Sequence, residues 1–281
     1  MLQNKRMMLT VKRLKKVMAN KNGLINIETA SRAAVEEKIA AMREGGKIHG
    51  GIMRDLKQYV KPGMTGKEID AWVRAEIVKR GAEVAYDRLD DEFPGAICIS
   101  VNDELVHGAP TDEPLSEGDK VSFDLDIYYK GYYTDGAFTT LVGDTGSPAV
   151  KKMISVTESA MWEGIDQVKP GAHIGDIGYA VEKVLRKGHL GVIENYIGHG
   201  IGKTMHEPPE VPNYGKRGRG YRLVEGDTIC IEPMSCLGKP ANYVDKEDGW
   251  TVRMKDGSIG CHCEHTILVT ADGYEVLTGA D

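Results

Sequence analysis

Residues 61–81 read KPGMTGKEIDAWVRAEIVKRG, and residues 169–189 read KPGAHIGDIGYAVEKVLRKGH. Lys61-Pro62-Gly63 recurs as Lys169-Pro170-Gly171, Val73 as Val181 and Lys79 as Lys187, always 108 positions apart. In each copy a Pro-Gly turn leads into an amphipathic helical pattern that ends in a basic residue and glycine. Further on, LSEGDKVSFD (115–124) is echoed by LVEGDTICIE (223–232), again 108 apart, and each reads as a polar turn feeding a strand. Two matched segments at one offset predict a single α/β (α+β) domain with two pseudo-symmetric halves. Asp124 closes one copy and Glu232 the other. Equivalent residues near a pseudo-dyad face one another, and facing carboxylates repel unless a cation sits between them. A metal shared by the two halves is the economical resolution.

The rest of the chain fits a globular protein. It has 281 residues, 41% of them hydrophobic, enough for a substantial core. No apolar run is long enough to span a membrane, and no signal-peptide core follows the basic N-terminus. Cys98, Cys230, Cys236, Cys261 and Cys263 make an odd set without C-x-x-C spacing, which predicts reduced thiols and a cytoplasmic location. Residues 1–27 carry Lys5, Arg6, Lys12, Arg13, Lys15, Lys16 and Lys21 and no acid, whereas the remainder is acidic. Such an arm suits RNA, a ribosome or a membrane surface, though a solvated terminus is the simpler reading. Residues 1–29 are read as a basic extension and 30–281 as one catalytic domain.

GHGIGKTMHEPP (198–209) invites a phosphate-loop reading. The pattern G-x-x-x-x-G-K-[ST] needs glycine where Ile197 stands. The loop must also open a helix, and Pro208-Pro209 cannot continue one. A nucleotide-hydrolysing reading therefore fails, and His199 and His206 become the informative residues. Their odd separation would place them on opposite faces of a strand, so they are expected to do different jobs.

In VSFDLDIYYKGYYTDGAFTTLVG (121–143), Lys130-Gly131 reads as a hairpin turn. That turn sets Asp126 opposite Asp135, with Asp124 diagonal on the same face. Acids in strands are costly to bury unless satisfied. Glu232 follows strand residues in TICIEPMSC, and Glu264 heads a β-rich run in IGCHCEHTILVT. Asp124, Asp135, Glu232, Glu264 and His199 together form a constellation that none of them makes alone. His107 sits in CISVNDELVHGAP, after a short strand and a turn at Asn102-Asp103, and its spacing does not distinguish it from an ordinary loop histidine. His49, His173, His189 and His262 carry no motif and are read as bystanders. His265, directly after Glu264, is read as a supporting neighbour.

These segments, with ICISVNDELVHGAP and DGWTVRMKDGS, resemble type I methionine aminopeptidases in order, spacing and content from about residue 30 to the end. The resemblance implies the pita-bread fold, a central curved antiparallel sheet flanked by helices. It implies Asp124, Asp135, His199, Glu232 and Glu264 as ligands of two divalent ions (cobalt, manganese, iron, nickel or zinc). It assigns His107 and His206 to the substrate and Glu232 to proton transfer. Trp250 matches a residue of the methionine pocket, which Cys98, Phe93 and Met205 are expected to line with it. The implied substrate is the N-terminal methionine of nascent peptides followed by a small residue. The chain is expected to be a monomer, with no membrane or sequence-specific nucleic-acid partner and a possible transient ribosome contact through residues 1–27. Two departures stand out: Met205 precedes His206 where many members have an aromatic, and DRLDDEF (87–93) replaces a glycine- and tyrosine-rich segment. A related reading is an Xaa-Pro peptidase, which usually carries an extra N-terminal domain. A non-catalytic binding protein on the same fold is expected to have lost ligands, and here all five are present.

Overall fold

A computed structural model describes residues 27–89 and 93–279; the basic residues Lys5 to Lys21 lie outside that range. Residues Ile39–Asp281 make one compact body and Met1–Lys38 a separate unit. Helix α1 (Ile27–Tyr59) spans residue 30, the expected start of the catalytic domain. No helix among the described residues is long and apolar enough to cross a membrane.

The 108-residue repeat is reproduced down to single hydrogen bonds. Helix α2 (Gly66–Lys79) buries Ile69, Val73 and Ile77; helix α4 (Ile174–Lys187) buries Ile177, Val181 and Leu185. These triplets sit at helical spacing on one face. The Thr65 N–H donates to Glu68 at 2.8 Å, and the His173 N–H donates to Asp176 at 2.8 Å, each capping a first turn. Before each helix the chain turns through a left-handed glycine, Gly63 (φ 89°) or Gly171 (φ 88°). The Gly63 N–H reaches the Leu115 carbonyl at 2.7 Å and the Gly171 N–H reaches Leu223 at 2.8 Å. Thus each helix entry is tied to the turn that feeds its own half's strand.

The N-terminal half is a four-stranded antiparallel sheet in which Lys120–Tyr129 pairs with Glu83–Val84, Cys98–Val101 and Tyr132–Leu141. Its core packs α1 and α2 onto that sheet through Ile52, Leu56, Val73, Phe123 and Leu125. The C-terminal half is a five-stranded sheet running Tyr274–Val276, His265–Val269, Thr228–Ile231, Gly198–Gly200, Glu207–Val211. Pro208 and Pro209 lie on its edge strand, where a missing N–H costs no ladder bond. Helix α3 (Pro148–Ile165) and α4 cover it through Met153, Met161, Val181 and Ile229. Ala137 and Glu264 exchange backbone hydrogen bonds at 2.9 and 3.3 Å and join the two sheets into one curved surface. Two further three-stranded sheets complete the described strands.

Helix α1 lies against the C-terminal segment so closely that a methyl group on Gly46 would overlap the Leu277 carbonyl. Alanine normally favours a helix over glycine by about 1 kcal/mol, but the backbone here cannot yield freely. Gly46→Ala is expected to lower stability by about 1–3 kcal/mol. Denaturant unfolding of the variant checks this; a stabilised protein would contradict the close packing.

Candidate active site

The seam between the halves carries the site. Lys130 (φ 47°) and Gly131 (φ 95°) form the expected hairpin turn with both central residues left-handed. The resulting register pairs Asp126 with Asp135 and Asp124 with Ala137. Glu232 and Glu264 each sit where the chain leaves one sheet for another. Thr228–Ile231 belongs to the five-stranded sheet and Met234–Cys236 to a three-stranded one; Gly260–His262 and His265–Val269 make the same change in reverse. At such a switch the side chain is free of the ladder's alternation and can turn into the seam. The Asn213 amide holds the Glu232 carbonyl at 3.1 Å.

All eleven residues singled out from the sequence line one cavity of about 310 Å³. Asp124, Asp135, His199, Glu232 and Glu264 form its polar floor, with Asp126 beside them. His199 Nε2 lies 3.6 Å from Asp135 Oδ2 and 3.5 Å from Glu232 Oε1. Phe93, Cys98, Met205 and the half-buried Trp250 form an apolar wall. Phe93 meets Trp250 edge-on at 5.5 Å between ring centres and Tyr86 at 4.6 Å. His107 and His206 border the same space.

The expectation that His199 and His206 face apart does not hold. Their rings meet edge-to-face, 4.3 Å between centres. Gly198–Gly200 and Glu207–Val211 are paired strands, so the intervening loop folds back and brings both imidazoles to one side. Strand parity does not survive a reversal of the chain. His262, read as a bystander, is buried among the acids. Its Nε2 is 3.6 Å from both Glu232 and Glu264, and its Nδ1 is 3.9 Å from Asp124. It closes the strand Gly260–His262 two residues before Glu264, and because the chain changes sheets between them, strand alternation gave no signal for it. His265 turns the other way, to the Thr278 hydroxyl at 3.0 Å. Tyr86 also lines the cavity; it lies in a single 3₁₀ turn, which has no periodicity to read. The five cysteines are free thiols, as expected.

Electrostatically, the floor calls for cations. Burial first, then Asp126, pushes Asp124 from 3.8 up to about 8. Burial and neighbouring acids drive Asp126, Asp135, Glu232 and Glu264 well above the usual carboxylate range. Burial holds His199 below its ordinary value, and burial with His206 lowers His107 to about 4. Asp124 Oδ1, Asp135 Oδ1 and Glu264 Oε1 are buried without hydrogen-bond partners. Oxygen-rich donors with an imidazole, inside 4.8 Å in sets such as Asp135, His199, Cys230 and Glu264, fit a divalent metal. In metal-free protein, a raised carboxylate stabilises the fold below its unfolded pKa and loses that contribution as pH rises through the folded value. The lowered histidines act oppositely: their contribution is present above 6.5 and fades below it. The chelator-treated protein is therefore expected to gain melting temperature as pH falls from 8 to 6.5. A flat or falling midpoint over that window would mean the acids are not packed together.

Two pseudo-symmetric halves with acids and imidazoles gathered at their seam define a pita-bread metallohydrolase. The chain belongs to metallopeptidase family M24, among its methionine aminopeptidases; the family's profile matches residues 40–271. It is 38% identical to methionine aminopeptidase 1 of Bacillus subtilis (strain 168), over 86% of this chain and 96% of that one. The crystal structure of methionine aminopeptidase from Rickettsia prowazekii superposes with a TM-score of 0.83 at 38% identity, covering 86% of this chain and 97% of that one. The prolidase from Pyrococcus furiosus shares the fold at TM-score 0.68 and 23% identity, covering 87% of this chain and 64% of that one.

Proposed function

We propose that this chain removes the N-terminal methionine from peptides and nascent proteins, preferring a small second residue. The observation that carries the reading is an apolar recess of Tyr86, Phe93 and Trp250 opening directly onto the acidic floor. A thioether suits such a recess because sulfur packs favourably against ring edges. The recess and floor together are the size of one amino-acid residue with its reacting bond, as a cavity of about 310 Å³ allows. The relatives' name supports the same substrate.

In this reading Asp124, Asp135, His199, Glu232 and Glu264 hold two divalent ions, with cobalt, manganese, iron, nickel or zinc favoured by the imidazole. When bound, the ions supply electrophilic activation of the scissile carbonyl and a water acidic enough to attack at neutral pH. The side chains do the rest. Glu232 takes the proton of the attacking water and returns it to the departing amine. His206 hydrogen-bonds the carbonyl oxygen as negative charge grows there. His107 faces the amide nitrogen of the departing residue. Its backbone (φ 57°) lies in the left-handed region, a strained setting common where a side chain is aimed for function. Residues 30–281 are the catalytic domain, acting as a cytoplasmic monomer, with residues 1–29 as an arm that touches the ribosome.

Metal-reconstituted protein is expected to hydrolyse Met-Ala-Ser and to leave Ala-Pro-Ala intact. Cleavage of Ala-Pro-Ala alone would reassign the chain to the Xaa-Pro peptidases. Deleting residues 1–27 is expected to weaken ribosome co-sedimentation, and unchanged sedimentation would remove the arm's assigned role.

A further inference from the structure

Lys120 belongs to none of the roles above, yet its side chain is fully buried. We infer that Lys120 is a positioning residue for His107, its ammonium clamping the hairpin that presents that imidazole to the substrate. The inference rests on the aminopeptidase reading and adds to it the group that sets the imidazole's place.

Lys120 holds the hairpin at both strands and at the turn. Its Nζ donates to the Ser100 carbonyl at 3.0 Å, in the strand Cys98–Val101, and to the Glu104 carbonyl at 2.9 Å, in the strand Glu104–Val106. Its backbone secures the turn between them. The Asn102 N–H donates to the Lys120 carbonyl at 2.8 Å, and the Lys120 N–H donates to Asn102 Oδ1 at 3.0 Å. His107 follows directly on the second strand. The residue after it is fastened back to the first strand. The Gly108 N–H donates to Ser100 Oγ at 3.0 Å, and the Ile99 N–H donates to the Gly108 carbonyl at 2.8 Å. His107 is thus bracketed by the two strands that the ammonium ties together. A buried ammonium is costly unless its donors are taken up, and an apolar side chain would fill the same space without that cost.

The repeat supplies a second case. Lys120 and Thr228 are equivalent positions, 108 apart. The Ile201 N–H donates to the Thr228 carbonyl at 3.0 Å, and the Thr228 hydroxyl donates to the Ile201 carbonyl. Ile201 lies two residues after His199. In both halves, therefore, this position ties down a segment that carries an imidazole of the site. In the first half one side chain has to reach two strands, which the long lysine stem does.

The test uses the full chain loaded with Mn²⁺, Met-Ala-Ser hydrolysis and a double-mutant cycle. Lys120→Met keeps an unbranched stem and removes the ammonium. It is expected to retain the wild-type manganese content, to lower kcat about tenfold and to leave KM within about twofold. In the His107→Ala background the same change is expected to lower kcat by less than about twofold, because the imidazole it places is gone. A merely structural role would lower kcat equally in both backgrounds. Wild-type kcat in Lys120→Met, loss of its manganese, or an undiminished effect without His107 overturns the inference. Should Lys120→Met fail to fold, Ser100→Ala takes its place in the cycle, releasing the Gly108 N–H from the strand that the ammonium holds. It is expected to lower kcat about threefold, and only where His107 is present; any other result overturns the inference. Absence of Met-Ala-Ser hydrolysis by the manganese-loaded wild-type chain overturns the aminopeptidase reading, and this inference with it.

Discussion

Glu264→Ala is expected to lose bound metal and peptidase activity together, the latter on the order of a thousandfold or more. Glu264 is buried, its Oε1 lacks a hydrogen-bond partner, and its Oε2 lies 3.6 Å from His262. The fold should survive, because Glu264 joins the halves through its backbone, by paired bonds to Ala137. Removing one of several mutually repelling acids should even raise the stability of metal-free protein at pH 8. Metal analysis, Met-Ala-Ser hydrolysis and thermal unfolding in chelator together check this. Full metal occupancy in the variant would remove Glu264 from the ligand set.

His107→Ala should separate chemistry from metal binding. The ring lines the cavity, is held neutral by burial, and packs edge-on to Tyr196 at 5.8 Å between centres. It makes no close ion pair with the acidic floor among those present in the described residues. We expect kcat to fall about 10²- to 10⁴-fold, the usual range for a positioned proton donor or acceptor, with metal content unchanged. His107→Gly should lose as much activity while relieving the left-handed backbone strain, worth about 1 kcal/mol or more. Steady-state kinetics, metal analysis and unfolding of the pair distinguish the two effects. Metal loss in His107→Ala would refute the division between ligand and catalyst.

Much of this arrangement is legible in the amino-acid sequence. The repeat was legible because each copy carries its own turn, cap and helix face, all local features. The Asp126–Asp135 register was legible because Lys130-Gly131 is a strong two-residue turn signal. The rest depended on long-range placement. His199 and His206 were misjudged because a loop reversal cancels strand parity. His262 carries no motif, and the change of sheet between it and Glu264 removes any alternation that would link them. Tyr86 gave no signal at all, since its turn is too short for any period. Lys120 was likewise unremarked; it is fully buried, with its ammonium on the Ser100 and Glu104 carbonyls at 3.0 and 2.9 Å, bracing the hairpin that leads to His107.

The two halves pack around separate apolar centres, one under α1 and α2 and the other under α3 and α4. The proposed ligands come from both: Asp124 and Asp135 from the first, His199, Glu232 and Glu264 from the second. An ion held between them would act as a rivet across the molecule's midline, and its binding energy would be felt by both halves at once. A stripped sample should melt over a broader range than a loaded one, because only the loaded form obliges the lobes to come apart in concert.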